Sequence, residues 1–195
     1  QSYYEKLLDQ LGNIGYQVHG ETVDASRFGV PQKRCRLIII GARTDIADRL
    51  DGGVTRVFEH LEQARLQQLA QFGLPGQVSA ADAISDLLTE NRSRIDCTDL
   101  MSPAGFQEVH YRGPTTTYQK LMHDGCDGPM DSMRLARHMD EVRARFKRVL
   151  EECARGVMIN EEARRRLGIK KHRTHPMAAS EPAPTITTLD RKSVV

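Results

Sequence analysis

Gln32, Lys33, Arg34 and Arg36 are the residues of this 195-residue chain whose types and spacing most directly suggest chemistry. Arg34 and Arg36 are two apart, so on an extended backbone their side chains leave the same face. A guanidinium is planar, permanently charged and donates in a fixed fork, which suits a carboxylate, a phosphate or a polarised carbonyl. Two such forks beside Gln32 and Lys33 would make an anion or carbonyl clamp. An ordinary strand with basic residues at its solvated end has the same spacing, and spacing alone does not separate the two.

A clamp needs elements that hold it. Leu37-Ile38-Ile39-Ile40 before Gly41 is a short apolar run, which predicts a strand buried on both faces of a sheet. Pro31 fixes its own φ and holds Val30 extended, so a turn delivers Gln32, Lys33 and Arg34 to the mouth of that strand. Cys35 alternates with the two arginines and is expected on the opposite, buried side. Upstream, Ser2 and Glu5 have capping-box spacing, and Tyr4, Leu7, Leu8 and Leu11 share a face until Gly12, predicting a short helix. Tyr16 to Val23 reads as a strand, and residues 24–28 as the loop linking it to the apolar one. One helix and two strands leave the aliphatic run uncovered, so the rest of its sheet is expected from sequence outside this chain.

Charged residues make up 28% and hydrophobic ones 39%, ordinary for a globular protein, and a formal charge of +2 does not by itself argue for nucleic acid. No apolar run approaches the roughly 20 residues of a membrane helix, and the start lacks a signal-peptide pattern; a cytoplasmic protein is expected. Cys35, Cys97, Cys126 and Cys153 form no Cys-x-x-Cys pair, which favours reduced thiols over a zinc knuckle or disulfide framework. His123 and His138 are isolated and read as surface or packing residues, not metal ligands.

Farther along, residues 42–53 are polar and mark a hinge. Val57, Leu61, Ala64, Leu69 and Phe72 give a helical pattern that ends at Gly73-Leu74-Pro75-Gly76. Ser79, with Asp82 at the box position, caps a helix to Leu88. Thr89 to Pro114 reads as loop with short extended pieces. Leu135, Met139, Val142, Phe146, Val149 and Cys153 predict the strongest helix, capped by Asp131 or Ser132 and ended by Gly156. A smaller helix runs from the Asn160 cap to Leu167 and Gly168. The many arginines of these last two helices are balanced by Asp140, Glu141, Glu151, Glu152, Glu161 and Glu162 and read as a solvated surface. Lys170, Lys171, His172 and Arg173 lie in a stretch without an acid, which suits neutralisation of phosphates.

Phe28-Gly29-Val30-Pro31 followed by Gln32-x-Arg34-x-Arg36 and an aliphatic strand resembles motif eight of the DNA cytosine-5 methyltransferases. Pro182-Ala183-Pro184-Thr185-Ile186-Thr187 resembles the segment closing that family's target recognition domain, and Leu11-Gly12-Asn13-Ile14-Gly15-Tyr16 the helix-to-strand connection before motif eight. The resemblance implies an α/β chain. Residues 1–50 would be the terminal helix and hairpin of a doubly wound, Rossmann-like sheet. Residues 51–189 would be a mixed, mainly helical and irregular target recognition domain, and residues 190–195, which break the family pattern, a foreign tail without order. The implied activity is methyl transfer from S-adenosylmethionine to C5 of a cytosine flipped out of duplex DNA, in restriction-modification, by an enzyme monomeric at full length. Arg36 would hold the cytosine O2 and the catalytic carboxylate, with Arg34 and Gln32 bracing that loop. Lys33 would meet a phosphate, and Thr185 would brace DNA beside the flipped base.

The family's Pro-Cys nucleophile motif, its Glu-Asn-Val motif and its glycine-rich S-adenosylmethionine loop do not occur here. The chain therefore reads as a fragment, inactive alone. The alternative is a non-enzymatic DNA-binding module or the recognition subunit of a split methyltransferase, and extending the reading frame upstream of Gln1 distinguishes them.

Overall fold

Ser2 starts the first helix in the way its spacing predicts. Its Oγ accepts from the Glu5 amide at 3.2 Å while its own amide donates to Glu5 Oε2 at 2.8 Å, which satisfies two of the donors a helix start leaves orphaned. In the computed structural model, which describes residues 2–126, 128, 133–169 and 176–185, the chain divides into two units, residues 1–77 and 78–195. Among the described residues no helix is long and apolar enough to cross a membrane.

The first unit is a helix, a hairpin and a second helix. Helix α1 (Tyr3–Asn13) leads into strand β1 (Tyr16–Asp24), a 3-10 turn over Ala25–Phe28, the short strand β2 (Gln32–Lys33) and strand β3 (Cys35–Arg43). The loop expected at 24–28 is thus a wound turn. Strands β1 and β3 are antiparallel, in register from Tyr16 opposite Arg43 to Asp24 opposite Cys35. The open end is tied by Thr44, whose amide and hydroxyl both donate to the Gly15 carbonyl at 2.9 Å. Tyr4 of α1 crosses β1 at Gly20, donating to its carbonyl at 3.4 Å. A Cβ on Gly20 would stand 2.7 Å from the phenol oxygen, so a larger residue there would displace the Tyr4 ring. After the single turn α2 (Thr44–Ala47), helix α3 (Arg56–Gln71) buries Phe58 and Leu69. These join Ala47 and Val54 as the buried apolar residues of this unit.

Two expectations for β3 are corrected. Leu37 and Ile38 are 52% and 42% exposed, not buried on both faces, because β1 is the one strand paired with β3 in its sheet. Cys35 is also exposed rather than turned into a core, since it sits where the hairpin ends.

The second unit is held by capped helix starts and polar hubs. Helix α4 (Ala80–Ile84) has the predicted Ser79–Asp82 box, and its Ala80 and Ala81 amides donate to the carbonyls of Glu181 and Ala179. A 3-10 turn, Ser85–Leu87, carries the chain on towards Leu88. Strands β4 (Arg94–Asp96) and β5 (Gln107–Val109) form a small antiparallel ribbon within the stretch predicted as irregular. Helix α5 (Thr117–His123) has no counterpart among the elements predicted from the sequence, although Thr116 and Gln119 make its capping box. Gln119 is 2% exposed. Its Oε1 accepts from the Thr115 and Thr116 amides, and its Nε2 donates to Ser85 Oγ at 3.0 Å.

Helix α6 (Asp140–Glu152) begins later than its apolar periodicity suggests. Arg134 bridges Glu108, and the Leu135 amide donates to the Gln107 carbonyl at 2.8 Å, so this segment runs beside β5 instead of coiling. The cap expected at Asp131 or Ser132 lies outside the described residues. Helix α7 (Glu161–Arg166) follows its Asn160 cap as predicted. Val149, Ile159 and Leu167 form the core here, with Cys153, Ala163 and Ile169 against it. Arg166 pairs with Glu152 at 2.8 Å and Lys147 with Glu151 at 3.8 Å, in keeping with a balanced surface, but Arg164 is buried. The short strand β6 is Ala183–Pro184; residues 190–195 lie outside the described residues.

Tyr111 donates to Asp86 Oδ2 at 2.5 Å and lies 3.1 Å from His123 Nε2. Its one proton is committed to Asp86, so the imidazole must donate to it. Burial first, then the hydrogen bond and charge of Asp86, push the phenol up to about 12, although Arg92 pulls the other way. The unfolded phenol ionises near 10 while the folded one stays neutral, so stability is complete below pH ~10 and falls as pH rises towards 12. Chemical denaturation of Tyr111→Phe should show a loss of about 2 kcal/mol at neutral pH and a shallower decline than wild type over that alkaline window, what remains coming from Tyr118, whose phenol pKa burial also raises. A variant with the wild-type alkaline profile would remove Tyr111 from this role.

Candidate functional site

The site begins with Asp24 at the end of β1. Its Oδ1 accepts from the Ser26 amide at 3.0 Å and from the Arg34 amide at 3.1 Å, while the Ala25 amide donates to the Arg34 carbonyl at 3.1 Å. One carboxylate oxygen thereby ties the 3-10 turn to the residue between β2 and β3. Burial raises the pKa of Asp24, yet the Ser26 and Arg34 amides, the Ser26 hydroxyl and the Lys33 charge outweigh it and hold the carboxyl below its usual range.

Helix α3 supports the same turn from behind. Arg65 donates to the Arg27 carbonyl at 3.1 Å, pairs with Glu62 at 2.7 Å and lies over the Phe28 ring at 5.8 Å. Arg27 pairs with the same Glu62 at 2.9 Å. Gly29 ends the turn with φ +77, and a Cβ there would stand 3.2 Å from Leu69 Cδ2. Both facts favour glycine at this position. The Phe28-Gly29-Val30-Pro31 segment is therefore fixed at its first two residues by packing on α3 and by backbone handedness.

Gln32, Lys33, Arg34 and Arg36 emerge from this braced turn within one short stretch. Gln32 is half-buried, and Lys33, Arg34 and Arg36 are exposed. Arg36 faces Val23 across the hairpin. Its Nη1 donates to the Cys35 carbonyl at 2.7 Å, which occupies one nitrogen of the fork. The Asp24–Lys33 attraction adds a fixed negative charge at the base of a cationic cluster. Such an arrangement can grip an anion or a polarised carbonyl oxygen with charge-assisted hydrogen bonds.

Thr185 is half-buried and belongs to the second unit, directly after β6. Lys170, Lys171 and Arg173 lie outside the described residues. The two residues missed by the sequence analysis are Asp24 and Arg65. A signal existed for Asp24, because an aspartate two positions before a turn amide is a common local cap. Arg65 carried none for its contact with the turn, since the Arg27 carbonyl lies thirty-eight positions away in the chain, although its pairing with Glu62 is local.

None of the described glycines forms a nucleotide loop between a strand and a helix in that order. Gly12 lies within α1 and Gly15 between α1 and β1, the reverse order, Gly52 and Gly53 precede α3 after the α2 turn, and Gly125 and Gly128 follow α5. These residues do not fit S-adenosylmethionine.

Comparison with known proteins agrees with the resemblance to the DNA cytosine-5 methyltransferases. The Type II methyltransferase M.BsuFI of Bacillus subtilis is 42% identical over 43 residues, 22% of this chain and 10% of that protein. The matched stretch is thus a small part of the relative's length. No solved structure matches the chain. The family model for C-5 cytosine-specific DNA methylase matches residues 1–192, and a match of that extent places this mixed α/β chain in the C-5 cytosine-specific DNA methylase family.

Proposed function

We propose that this chain works in a DNA cytosine-5 methyltransferase, a protein that moves a methyl group from S-adenosylmethionine to C5 of a cytosine flipped out of duplex DNA. The observation that carries the proposal is the Asp24-anchored turn that presents Gln32, Lys33, Arg34 and Arg36 together. In this reading the α1–β1–β3 hairpin unit is the closing edge of a doubly wound catalytic sheet, residues 51–189 are the target recognition domain, and the enzyme serves restriction-modification.

Cytosine C5 becomes nucleophilic when negative charge develops on the ring, and a positioned cation lowers the energy of that charged state. Arg36 supplies it. One Nη is occupied by the Cys35 carbonyl, so the guanidinium is oriented before substrate arrives. Its remaining donors can meet the cytosine O2 and a catalytic carboxylate. Arg34 and Gln32 keep the turn shaped around it, with the Arg34 amide locked on Asp24. Lys33 meets a backbone phosphate. The methyl group would come from S-adenosylmethionine, which the described glycines of this chain are not arranged to hold.

In the full-length enzyme, Arg36→Ala should lower single-turnover methyl transfer by about 100-fold or more while leaving duplex affinity near normal. Arg36→Lys keeps a charge without the fork and should recover part of that rate. Lys33→Ala should do the reverse, weakening binding in a salt-dependent manner with a normal single-turnover rate. An Arg36→Ala enzyme that turns over normally once saturated with DNA would exclude the clamp from the mechanism.

Lys170, Lys171 and Arg173 are proposed to neutralise phosphates. Replacing all three with glutamine should flatten the plot of log affinity against log salt by about 0.9 for each phosphate that is no longer neutralised. An unchanged slope would make this stretch a solvated surface only.

A further inference from the structure

Arg65 of α3 engages every nitrogen of its guanidinium. Nε and Nη2 meet Glu62 Oε2 at 2.9 and 2.7 Å, Nη1 donates to the Arg27 carbonyl at 3.1 Å, and the group lies 5.8 Å from the centre of the Phe28 ring. Its side chain is 10% exposed, against 52% for Arg27, which pairs with the same carboxylate oxygen at 2.9 Å. An ion pair in open solvent contributes little, so the Arg27 pair is the weaker of the two. A largely buried fork with three charge-assisted bonds has few rotamers left, and it fixes how far the turn Ala25–Phe28 stands from the helix.

The bond to Arg27 reaches Arg36 through a short chain of backbone contacts. Arg27 follows Ser26, which is 1% exposed and whose hydroxyl accepts from Gln77 at 3.2 Å. The Ser26 and Arg34 amides share Asp24 Oδ1, and the Ala25 amide donates to the Arg34 carbonyl at 3.1 Å. Arg34 directly precedes the strand that carries Arg36. Asp24 therefore joins the turn to Arg34, whereas Arg65 ties the joined pair to a helix of 16 residues. Without that tie the turn and Arg34 can shift together while the bonds between them stay intact. Helix α3, the turn and the clamp all belong to the same unit, residues 1–77.

We infer that Arg65 is a positioning residue for methyl transfer, holding the turn on α3 so that Arg34 and Arg36 keep the place from which they meet the cytosine ring. The inference rests on the clamp proposed above. It adds a residue that touches neither the base nor the methyl donor and acts only through the main chain that carries the clamp.

The full-length enzyme and its Arg65→Met, Arg65→Lys, Arg36→Ala and Arg65→Met/Arg36→Ala variants would be compared in single-turnover methyl transfer and in duplex binding. Arg56→Met serves as control, since Arg56 is another arginine of α3 and its partners are Asp51 and Glu59, at the start of the helix. Arg65→Met keeps the apolar stem and should lower the rate by about tenfold or more with duplex affinity near normal, because a misplacement of about 1 Å can cost on the order of 100-fold. Arg65→Lys offers a point charge in place of the fork and should recover part of the rate. Arg56→Met should keep the wild-type rate. Losses at independent sites multiply in rate, whereas losses that act through one group do not. In the Arg36→Ala background, Arg65→Met should therefore cost little more. Thermal melts fix a temperature at which each variant is folded, and if Arg65→Met has none, Arg65→Lys takes its place in the cycle. A wild-type rate for Arg65→Met, an equal loss in Arg56→Met, or a loss that multiplies in full with that of Arg36→Ala would overturn the inference and leave the clamp standing. A normal rate for Arg36→Ala would end the clamp reading and the role of Arg65 with it.

Discussion

The Asp24 carboxylate is the constraint on which the first unit's chemistry depends. A turn between two strands leaves backbone amides without partners, and each such amide costs free energy when partly buried. Asp24 takes two of them on one oxygen, from Ser26 and from Arg34. The second bond matters more for the proposed clamp, because Arg34 lies two residues from Arg36 and directly precedes the strand that carries it. A carboxylate accepting backbone amides is favoured in its charged form, and the depressed pKa follows from that. The grip is complete above the ordinary carboxylate range and weakens only as pH falls through the folded value. At neutral pH the turn is thus held by an ionised group that does not need to touch any substrate.

The second unit relies on the same use of polar anchors. Its apolar core is small, with Val149, Ile159 and Leu167 forming the cluster between α6 and α7. Order elsewhere comes from side chains that satisfy helix starts. Ser79, Thr116 and Asn160 each cap a short helix, and Gln119 reaches from one capping box to Ser85. Thr116 Oγ1 also donates to the Asp82 carbonyl at 2.6 Å, joining the start of α5 to α4. Helices of five to seven residues are unstable alone, so these caps and the contacts between them are what give each helix a fixed position. A region held this way can vary its exposed loops freely.

Local chemistry was legible in the sequence and long-range pairing was not. Ser2 with Glu5, Ser79 with Asp82, and Asn160 all announced their helices, because a cap is a bond between residues three apart. The β1–β3 hairpin was legible from its apolar run and the turn before it. The start of α6 was misread because a hydrophobic period cannot reveal that the Leu135 amide is already taken by Gln107, twenty-eight positions away. Burial of β3 was overestimated for a related reason. A run of Leu37, Ile38, Ile39 and Ile40 states what the strand prefers to touch, whereas its exposure depends on which strands lie beside it. In the site, the residue types of the clamp were evident, but the support that Arg65 and Glu62 of α3 give to the turn at Arg27 and Phe28 left no mark near those residues.

The position of Arg36 joins these points. Its guanidinium is exposed and donates to the carbonyl of its own neighbour, Cys35. An exposed hydrogen bond of this kind contributes on the order of 1 kcal/mol, because water competes for both partners. That is enough to favour one rotamer among the many an arginine can adopt, and too little to prevent the fork from turning toward a stronger acceptor. An anionic or charge-developing partner in a water-poor site offers a charge-assisted bond roughly twice as strong. In the proposed role, the side chain would be confined before its partner arrives and released by it, provided the backbone beneath does not move. The backbone is fixed by Asp24 on one side and by the hairpin register of Val23 with Arg36 on the other. Preorganisation here resides in the main chain, and the mobile part is limited to the few torsions of one arginine.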